Sequence, residues 1–390
     1  MFSFISMGKE AVSAVQCDSY ELRELEGAIE KALKLIRFKF KKDLIVLLKP
    51  NVLGAFHPDK GVVTNPKFVE AVCRILRKNK VKKIYIGDSS YQNTSEALKI
   101  SGMEDVAKRY KAELVVFETN PLVLIKDHKA KILKDFIIPS IFKNVDLVIN
   151  LPKLKTHALT KLTCAVKNLF GAIPGGRKQE FHRTADTELK FCELLLDIYQ
   201  NIKPGLNILD GVIGMEGEGP SAGDKKLTRV ILASRNAIAL DRIACRIIGF
   251  DEYDVLTNRI GVERGLCSKE IEHFGEKVVI KYKKPSSYGH GIPKIFREIF
   301  HYANKIKVRV DKNKCSGCAT CDKHCPVDAI EMIKGKKTLK DKKGIYPCFD
   351  YEKCIRCFCC MEVCPEHAIY LRESLMKKLY MWWVSRKMKK

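Results

Sequence analysis

Ten of the sixteen cysteines fall between residues 315 and 364, and eight of them repeat one spacing twice. The first copy is Cys315-x2-Cys318-x2-Cys321-x3-Cys325-Pro326; the second is Cys354-x2-Cys357-x2-Cys360-x3-Cys364-Pro365. Three thiolates two residues apart wrap a tight loop around one corner of a cubane cluster, with the loop amides turned toward its sulfurs. The fourth Cys, followed by Pro, starts a helix that leads away, and in a two-cluster arrangement it ligates the other cluster. The spacing therefore predicts two 4Fe–4S clusters. One is held by Cys315, Cys318, Cys321 and Cys364; the other by Cys354, Cys357, Cys360 and Cys325. Zinc also binds paired CxxC units, but rarely takes eight cysteines in this register twice. Cys348 and Cys359 fall outside the pattern and read as small packed hydrophobes. The other six cysteines are scattered singly through residues 1–300, in a long chain with no export signal, which is not a disulfide scaffold.

The flanks repeat with the cysteines. Residues 307–310 read as a strand entering the first motif, 328–333 as the strand leaving it, and 367–371 as the strand leaving the second. Each copy is strand, cysteine loop, short helix, strand. The lysine-rich stretch 334–343 reads as a solvated hairpin and loop. Residues 307–372 resemble bacterial-type two-cluster ferredoxin domains, a small α+β fold that relays single electrons.

The rest of the chain is a different object. Its aliphatic runs recur throughout, and 46% hydrophobic content is enough for a sizeable core, which excludes a disordered chain. No run approaches the ~18 apolar residues that cross a bilayer. Residues 1–7 lack the parts of a signal peptide, so the expected location is cytoplasmic. The net charge of +25 reads first as an ordinary solvated basic surface; as a partner signal it would steer acidic partners, either an acidic redox carrier or an anionic small molecule. Nucleic acid is not expected, because no binding motif occurs and aromatics are not interleaved with the basic runs. Residues 375–390 hold both Trp in a basic stretch. We read them as a terminal helix packed on the body, with membrane-surface contact the less favoured reading.

In residues 1–286 buried-type strands alternate with helical stripes. Strands are expected at 12–16, 44–48, 83–86, 113–117, 146–150, 206–209 and 229–233. Helices are expected over 20–38, from Asn65-Pro66 onward, over 187–202 and over 238–248. The alternation predicts an α/β domain with a mostly parallel sheet and helices on both faces. Residues 287–306 read as a linker, 307–372 as the cluster domain and 373–390 as a basic tail.

Polar residues gather where these strands end, and in parallel sheets the C-terminal strand ends form the ligand crevice. Four such loops bring Lys49 and Asn51, Asp88, then Lys153, Lys155 and His157, then Asp210 and Glu216. Lys167 and Asn168 follow the third loop. We read Lys153, Lys155, His157 and Asp88 as catalytic candidates, and Lys49, Asn51, Lys167, Asn168, Asp210 and Glu216 as cofactor-binding candidates. Lysines and an imidazole would hold an anion; the carboxylates would bind metal or move protons. His182 and Arg183 are weaker candidates. No phosphate-loop or dinucleotide fingerprint occurs, so neither ATP nor NAD is supported by motif, and a flavin or further metal is left open.

Lys49-Pro50-Asn51, Pro152-Lys153-Leu154-Lys155-Thr156-His157, Lys167-Asn168-Leu169-Phe170-Gly171 and Glu216-Gly217-Glu218-Gly219-Pro220 carry a resemblance over about residues 10–285. The chain resembles the family called domain of unknown function 362, whose members often carry a C-terminal ferredoxin module. The resemblance implies a prokaryotic, anaerobic, cytoplasmic iron–sulfur protein and brings no established substrate. Three functions are weighed: an iron–sulfur oxidoreductase whose ferredoxin module relays electrons to or from a site in the α/β domain, which is preferred; a non-enzymatic electron-transfer or docking protein; and a protein whose clusters are structural or sensory.

Overall fold

The computed structural model describes residues 9–288, 307–335 and 344–372. The expected tail 373–390, most of the linker 287–306 and most of the lysine-rich stretch 334–343 lie outside the described residues.

The larger part is built on a ten-stranded sheet. Its strands are β1 (Glu10–Gln16), β2 (Ile45–Pro50), β3 (Lys83–Asp88), β4 (Glu113–Val116), β7 (Leu147–Leu151), β8 (Lys153–His157), β9 (Lys161–Thr163), β10 (Leu206–Glu216), β11 (Asp224–Ser234) and β12 (Ile271–Gly275). β5 (Leu122–Lys126) and β6 (Asp135–Pro139) form a separate hairpin. The order is β12-β1-β11-β10-β7-β2-β3-β4, with β8 beside β10 and β9 beside β8. Pairs β12/β1, β10/β7, β7/β2, β2/β3, β3/β4 and β10/β8 are parallel; β1/β11, β10/β11 and β8/β9 are antiparallel.

Both faces are covered, which explains why β2 reads as one continuous buried run. Helices α1 (Leu22–Leu35), α2 (Pro66–Lys78), α3 (Thr94–Ile100) and α4 (Met103–Arg109) close one core with Val46, Leu48, Ile84 and Ile208. Helices α5 (Ile141–Asn144), α6 (Ala165–Asn168), α7 (Arg177–Thr184), α8 (Glu188–Ile202), α9 (Ala237–Ile247) and α10 (Leu256–Glu263) close the other with Leu47, Leu209 and Leu232. Start signals act as the sequence predicts. The Asn65 side chain accepts from Lys67 N with Pro66 at the first helical position, and the Thr187 side chain accepts from Lys190 N.

Two expected loops are strands. β10 does not stop at Leu209 but runs to Glu216, paired with β11 along a ribbon that bulges between Gly211 and Ile213. The bulge absorbs an extra residue, so glycines and polar residues ride in a strand without breaking it. Lys153–His157 is β8, which continues β7 after a break at Pro152. Proline has no N–H for the ladder, but its carbonyl still accepts from Asp210 N.

The smaller part has β13 (Lys307–Val310) antiparallel to β16 (Ile369–Arg372), and β14 (Ile330–Lys334) antiparallel to β15 (Ile345–Phe349). Single helical turns span Thr320–Lys323 and Cys359–Glu362. Val308, Ile330, Phe358, Met361, Ile369 and Leu371 form its core, which reaches Ala158 of the larger part. Further contacts tie the two together: Arg183 Nε donates to Pro326 O (2.6 Å), and Ser221 Oγ donates to Glu362 O (3.2 Å). Among the described residues no helix is long and apolar enough to cross a membrane.

Candidate functional site

The cysteines of the repeat surround two hollows. Cys315, Cys318, Cys321 and Cys364 line one, beside Met332, Pro347 and Ile369. Cys325, Cys354, Cys357 and Cys360 line the other, beside Val308, Ile330 and Phe349. Each hollow thus takes three sulfurs from one copy and one from the other. The backbone repeats as well. Gly317, Ala319 and Asp328 in the first copy, and Arg356, Phe358 and His367 at equivalent positions in the second, all adopt positive φ. Such conformations are costly for residues other than glycine and persist only where the surroundings demand them. Amides already reach the sulfurs: Ala329 N donates to Cys325 Sγ (3.2 Å), and Ala368 N to Cys364 Sγ (3.3 Å). Four thiols, apolar walls and amide donors make up the donor set that a 4Fe–4S cluster takes.

A third cavity, of about 110 Å³, lies where the two parts meet. Asn51, Asp88, Lys155, His157, Lys167 and Asn168 line it from the α/β side. His324, Cys359 and Glu362 line it from the cysteine-rich side. Six of the ten expected α/β site residues therefore meet at one place.

The other four do not face it. Lys49 stands behind, its Nζ 2.8 Å from Asp88 Oδ1, and Val52 N donates to the other Asp88 oxygen. Burial pushes the Asp88 carboxyl up and the Lys49 ammonium down, and each partner's charge opposes that. Lys153, expected as a catalytic candidate, does not line this cavity. Its ammonium is taken up by Asp210 Oδ2 (2.7 Å) and the Tyr20 hydroxyl (2.7 Å). Asp210 in turn accepts from Tyr20 Oη and Asn65 N, which leaves this buried network complete and away from the cavity. Glu216, expected as a cofactor-binding candidate, accepts from Lys283 N (2.9 Å) at the far end of β10 and does not line this cavity.

Among the described residues three lysines are thus fully buried, and two have carboxylate partners. Lys155 does not. Among the described residues its Nζ donates to Val62 O (2.7 Å) alone. Burial lowers it to about 7, with Glu362 opposing and Lys153 and Lys167 adding to the effect. Lys178 is mostly buried, its ammonium sunk against Ser89 O (2.5 Å) and Ser89 Oγ (2.6 Å), and burial brings it to about 8. Lys167 lies over the rings of Phe170 (4.9 Å) and Phe191 (5.5 Å). His182 stacks on Phe191 at 4.3 Å, and burial followed by the Lys167 charge lowers it to about 3, so it is neutral.

His157 and Glu362 face each other across the domain boundary, Nε2 to Oε1 at 3.1 Å. His157 Nδ1 accepts from Leu159 N (3.0 Å) and Thr160 N (3.3 Å), so a neutral ring carries its proton on Nε2. Burial lowers His157 and would raise Glu362, but the facing imidazole and Lys167 hold Glu362 at about 2. We therefore read a neutral imidazole against a carboxylate.

Gly171 closes the back wall. A methyl there would lie 2.2 Å from Asp88 Oδ1 and 2.6 Å from Lys49 Nζ. Sequence reasoning missed Glu362, Cys359, His324 and Tyr91 as cavity residues. The first three sit in the cysteine-rich repeat, and no signal in the sequence says which side of that domain faces the sheet. Of the two weaker candidates, His182 lines the cavity while Arg183 clamps the boundary at Pro326.

The family model described as a domain of unknown function (DUF362) matches residues 46–246, and one described as a 4Fe–4S dicluster domain matches residues 307–373. A thylakoid-associated protein of Synechocystis sp. is 31% identical over 320 residues, covering 75% of this chain and 94% of that protein. A ferredoxin of Methanothermococcus thermolithotrophicus is 35% identical over 68 residues, 17% of this chain and 98% of that protein. A solved structure, the lactate racemase apoprotein from Thermoanaerobacterium thermosaccharolyticum, superposes with a TM-score of 0.38 at 12% identity. It covers 58% of this chain and just over half, 54%, of that one, and at that score it carries no argument. The chain belongs to the family of the domain of unknown function 362 and carries a C-terminal 4Fe–4S dicluster domain.

Proposed function

We propose that this protein is an iron–sulfur oxidoreductase whose two clusters exchange electrons with an anionic small molecule in the interdomain cavity. One observation carries this reading. The cavity wall on the cysteine-rich side is the turn Cys359–Glu362, which holds Cys360 of one sulfur set and runs straight into Cys364 of the other. A molecule in the cavity would sit against the segment that serves both hollows. The proposed holders are Cys315, Cys318, Cys321 and Cys364 for one cluster, and Cys354, Cys357, Cys360 and Cys325 for the other. When bound, each 4Fe–4S cluster takes up or releases one electron.

The chain's own residues supply the rest. Lys155 and Lys167 would draw in the anion, and burial makes their charge count for more than it would in water. His157 would offer Nε2–H as a donor. The Lys49–Asp88 pair would hold the β2 and β3 ends at fixed spacing. Cys318 is exposed, which supports entry of electrons there from an outside redox carrier, and the basic chain favours an acidic one.

The test is anaerobic purification, then metal analysis and mass spectrometry of what denaturation releases. The expected result is about eight iron per chain plus an anionic small molecule, which Lys155→Ala loses while keeping its iron. Iron with no small molecule in either protein would overturn the enzyme reading and leave an electron carrier.

A further inference from the structure

Buried polar atoms normally have a hydrogen-bond partner, so those without one ask for an explanation. Among the described residues eleven such side-chain atoms have none. Six belong to residues that line the interdomain cavity: Asn51 Oδ1, Thr163 Oγ1, Asn168 Oδ1 and His182 Nδ1, together with His157 Nε2 and Glu362 Oε1, which face each other at 3.1 Å and keep lone-pair capacity to spare on the carboxylate. A scatter of packing faults would not collect on one surface. A site awaiting its ligand would.

The polarity of two of these atoms is fixed by what lies behind them. The Asn168 amide gives its NH2 to Asn150 Oδ1 (2.8 Å), Lys49 O (3.3 Å) and Pro50 O (3.4 Å). Only the nitrogen end can face three oxygens, so Oδ1 is an acceptor left over. Glu362 Oε1 is also an acceptor, and it carries charge. Against these stand the donors Lys155 Nζ, Lys167 Nζ and His157 Nε2–H. A bare oxyanion would satisfy the donors only. It would leave Asn168 Oδ1 unpaired and set a second negative charge beside Glu362.

We infer that the ligand is a small organic anion bearing its own hydroxyl or amino donor, with that donor turned toward Asn168 Oδ1 and Glu362 Oε1 and the anionic end toward Lys155 and Lys167. This deepens the cavity reading above and rests on it. Size agrees: at roughly 10–15 Å³ for each water-sized group, about 110 Å³ takes on the order of nine non-hydrogen atoms, the scale of a four-carbon hydroxy acid.

The experiment is anaerobic calorimetry on the cluster-loaded full chain with three probes: malate, succinate and inorganic phosphate. Malate and succinate differ by one hydroxyl. Malate is expected to bind about tenfold tighter than succinate, and phosphate more weakly than malate, because an unpaired buried acceptor is costly. Glu362→Gln should tighten succinate and narrow the gap, since it removes the repelling charge and keeps the shape. Succinate equal to malate, phosphate tighter than malate, or no binding by any probe would overturn the inference. None of these readouts involves electron transfer or a co-purified molecule, so the ligand class can fail while the oxidoreductase reading stands, and the reverse.

Discussion

Two lysines two residues apart on β8 have opposite fates, and the difference lies in their partners. Lys153 has Asp210 and Tyr20; Lys155 has one carbonyl. Breaking a buried ion pair on one side leaves a buried charge uncompensated, so Lys153→Met should destabilise by about 3–5 kcal/mol and still bind anions. Lys155→Met should do the reverse. A lysine lowered to about 7 in the fold and near 10.4 when unfolded is charged in the unfolded chain where the folded one wants it neutral. The unfolded state therefore binds the extra proton between those values. That penalty is largest below pH 7 and is relieved as pH rises. Removing it outweighs the stranded Val62 carbonyl, so Lys155→Met should gain about 1–3 kcal/mol at pH 7 and lose anion affinity tenfold or more. Thermal melts paired with calorimetry check both. A Lys155→Met protein that melts lower and binds as before would show Lys155 to be structural. In the unsubstituted protein, anion affinity should fall as pH rises through about 7, where Lys155 gives up its proton.

At the scale of elements, the cavity depends on a close approach that only glycine allows. The segment α6–Gly171 lies against the Lys49–Asp88 pair so tightly that any Cβ at Gly171 meets both charged ends. Gly171→Ala should displace Asp88 from Val52 N, cost about 1–3 kcal/mol and weaken anion binding, as read by denaturant melts and calorimetry. Normal stability with full binding would show that the wall yields freely. The KNLFG motif was legible as unusual, but its reason was not, because a steric contact across 83 positions leaves no periodic trace. Strand runs 44–48, 83–86 and 146–150 were legible because buried parallel strands are continuous apolar runs. β8 and the far half of β10 were not. Their lysines, histidine and glycines imitate turn chemistry, and only pairing makes them strands: β10 with β11 across the bulge, and β8 with β10 and β9. The strand-end rule found the right region and could not tell a completed pair such as Lys153–Asp210 from an unpartnered lysine.

At the scale of the whole molecule, the site is shared property. Lysines come from the α/β part, while Glu362 and Cys359 come from the turn between the two sulfur sets. The cysteine-rich part has a small core and buries little without its clusters, and such domains owe much of their folding to what their cysteines hold. Losing the clusters should therefore loosen the turn Cys359–Glu362 and open the cavity. Anion affinity is expected to fall tenfold or more when the clusters are destroyed by mild oxidation and chelation, and to return on anaerobic reconstitution. Arg183→Ala gives the intermediate case. It removes one donor to Pro326 O and is not itself a lining residue of the cavity, so cluster content should stay full while anion binding weakens by a factor of a few, about what one hydrogen bond contributes. If the cluster-free protein binds anions as tightly as the loaded one, the α/β part alone makes the site, and the Cys359–Glu362 turn is only a neighbour.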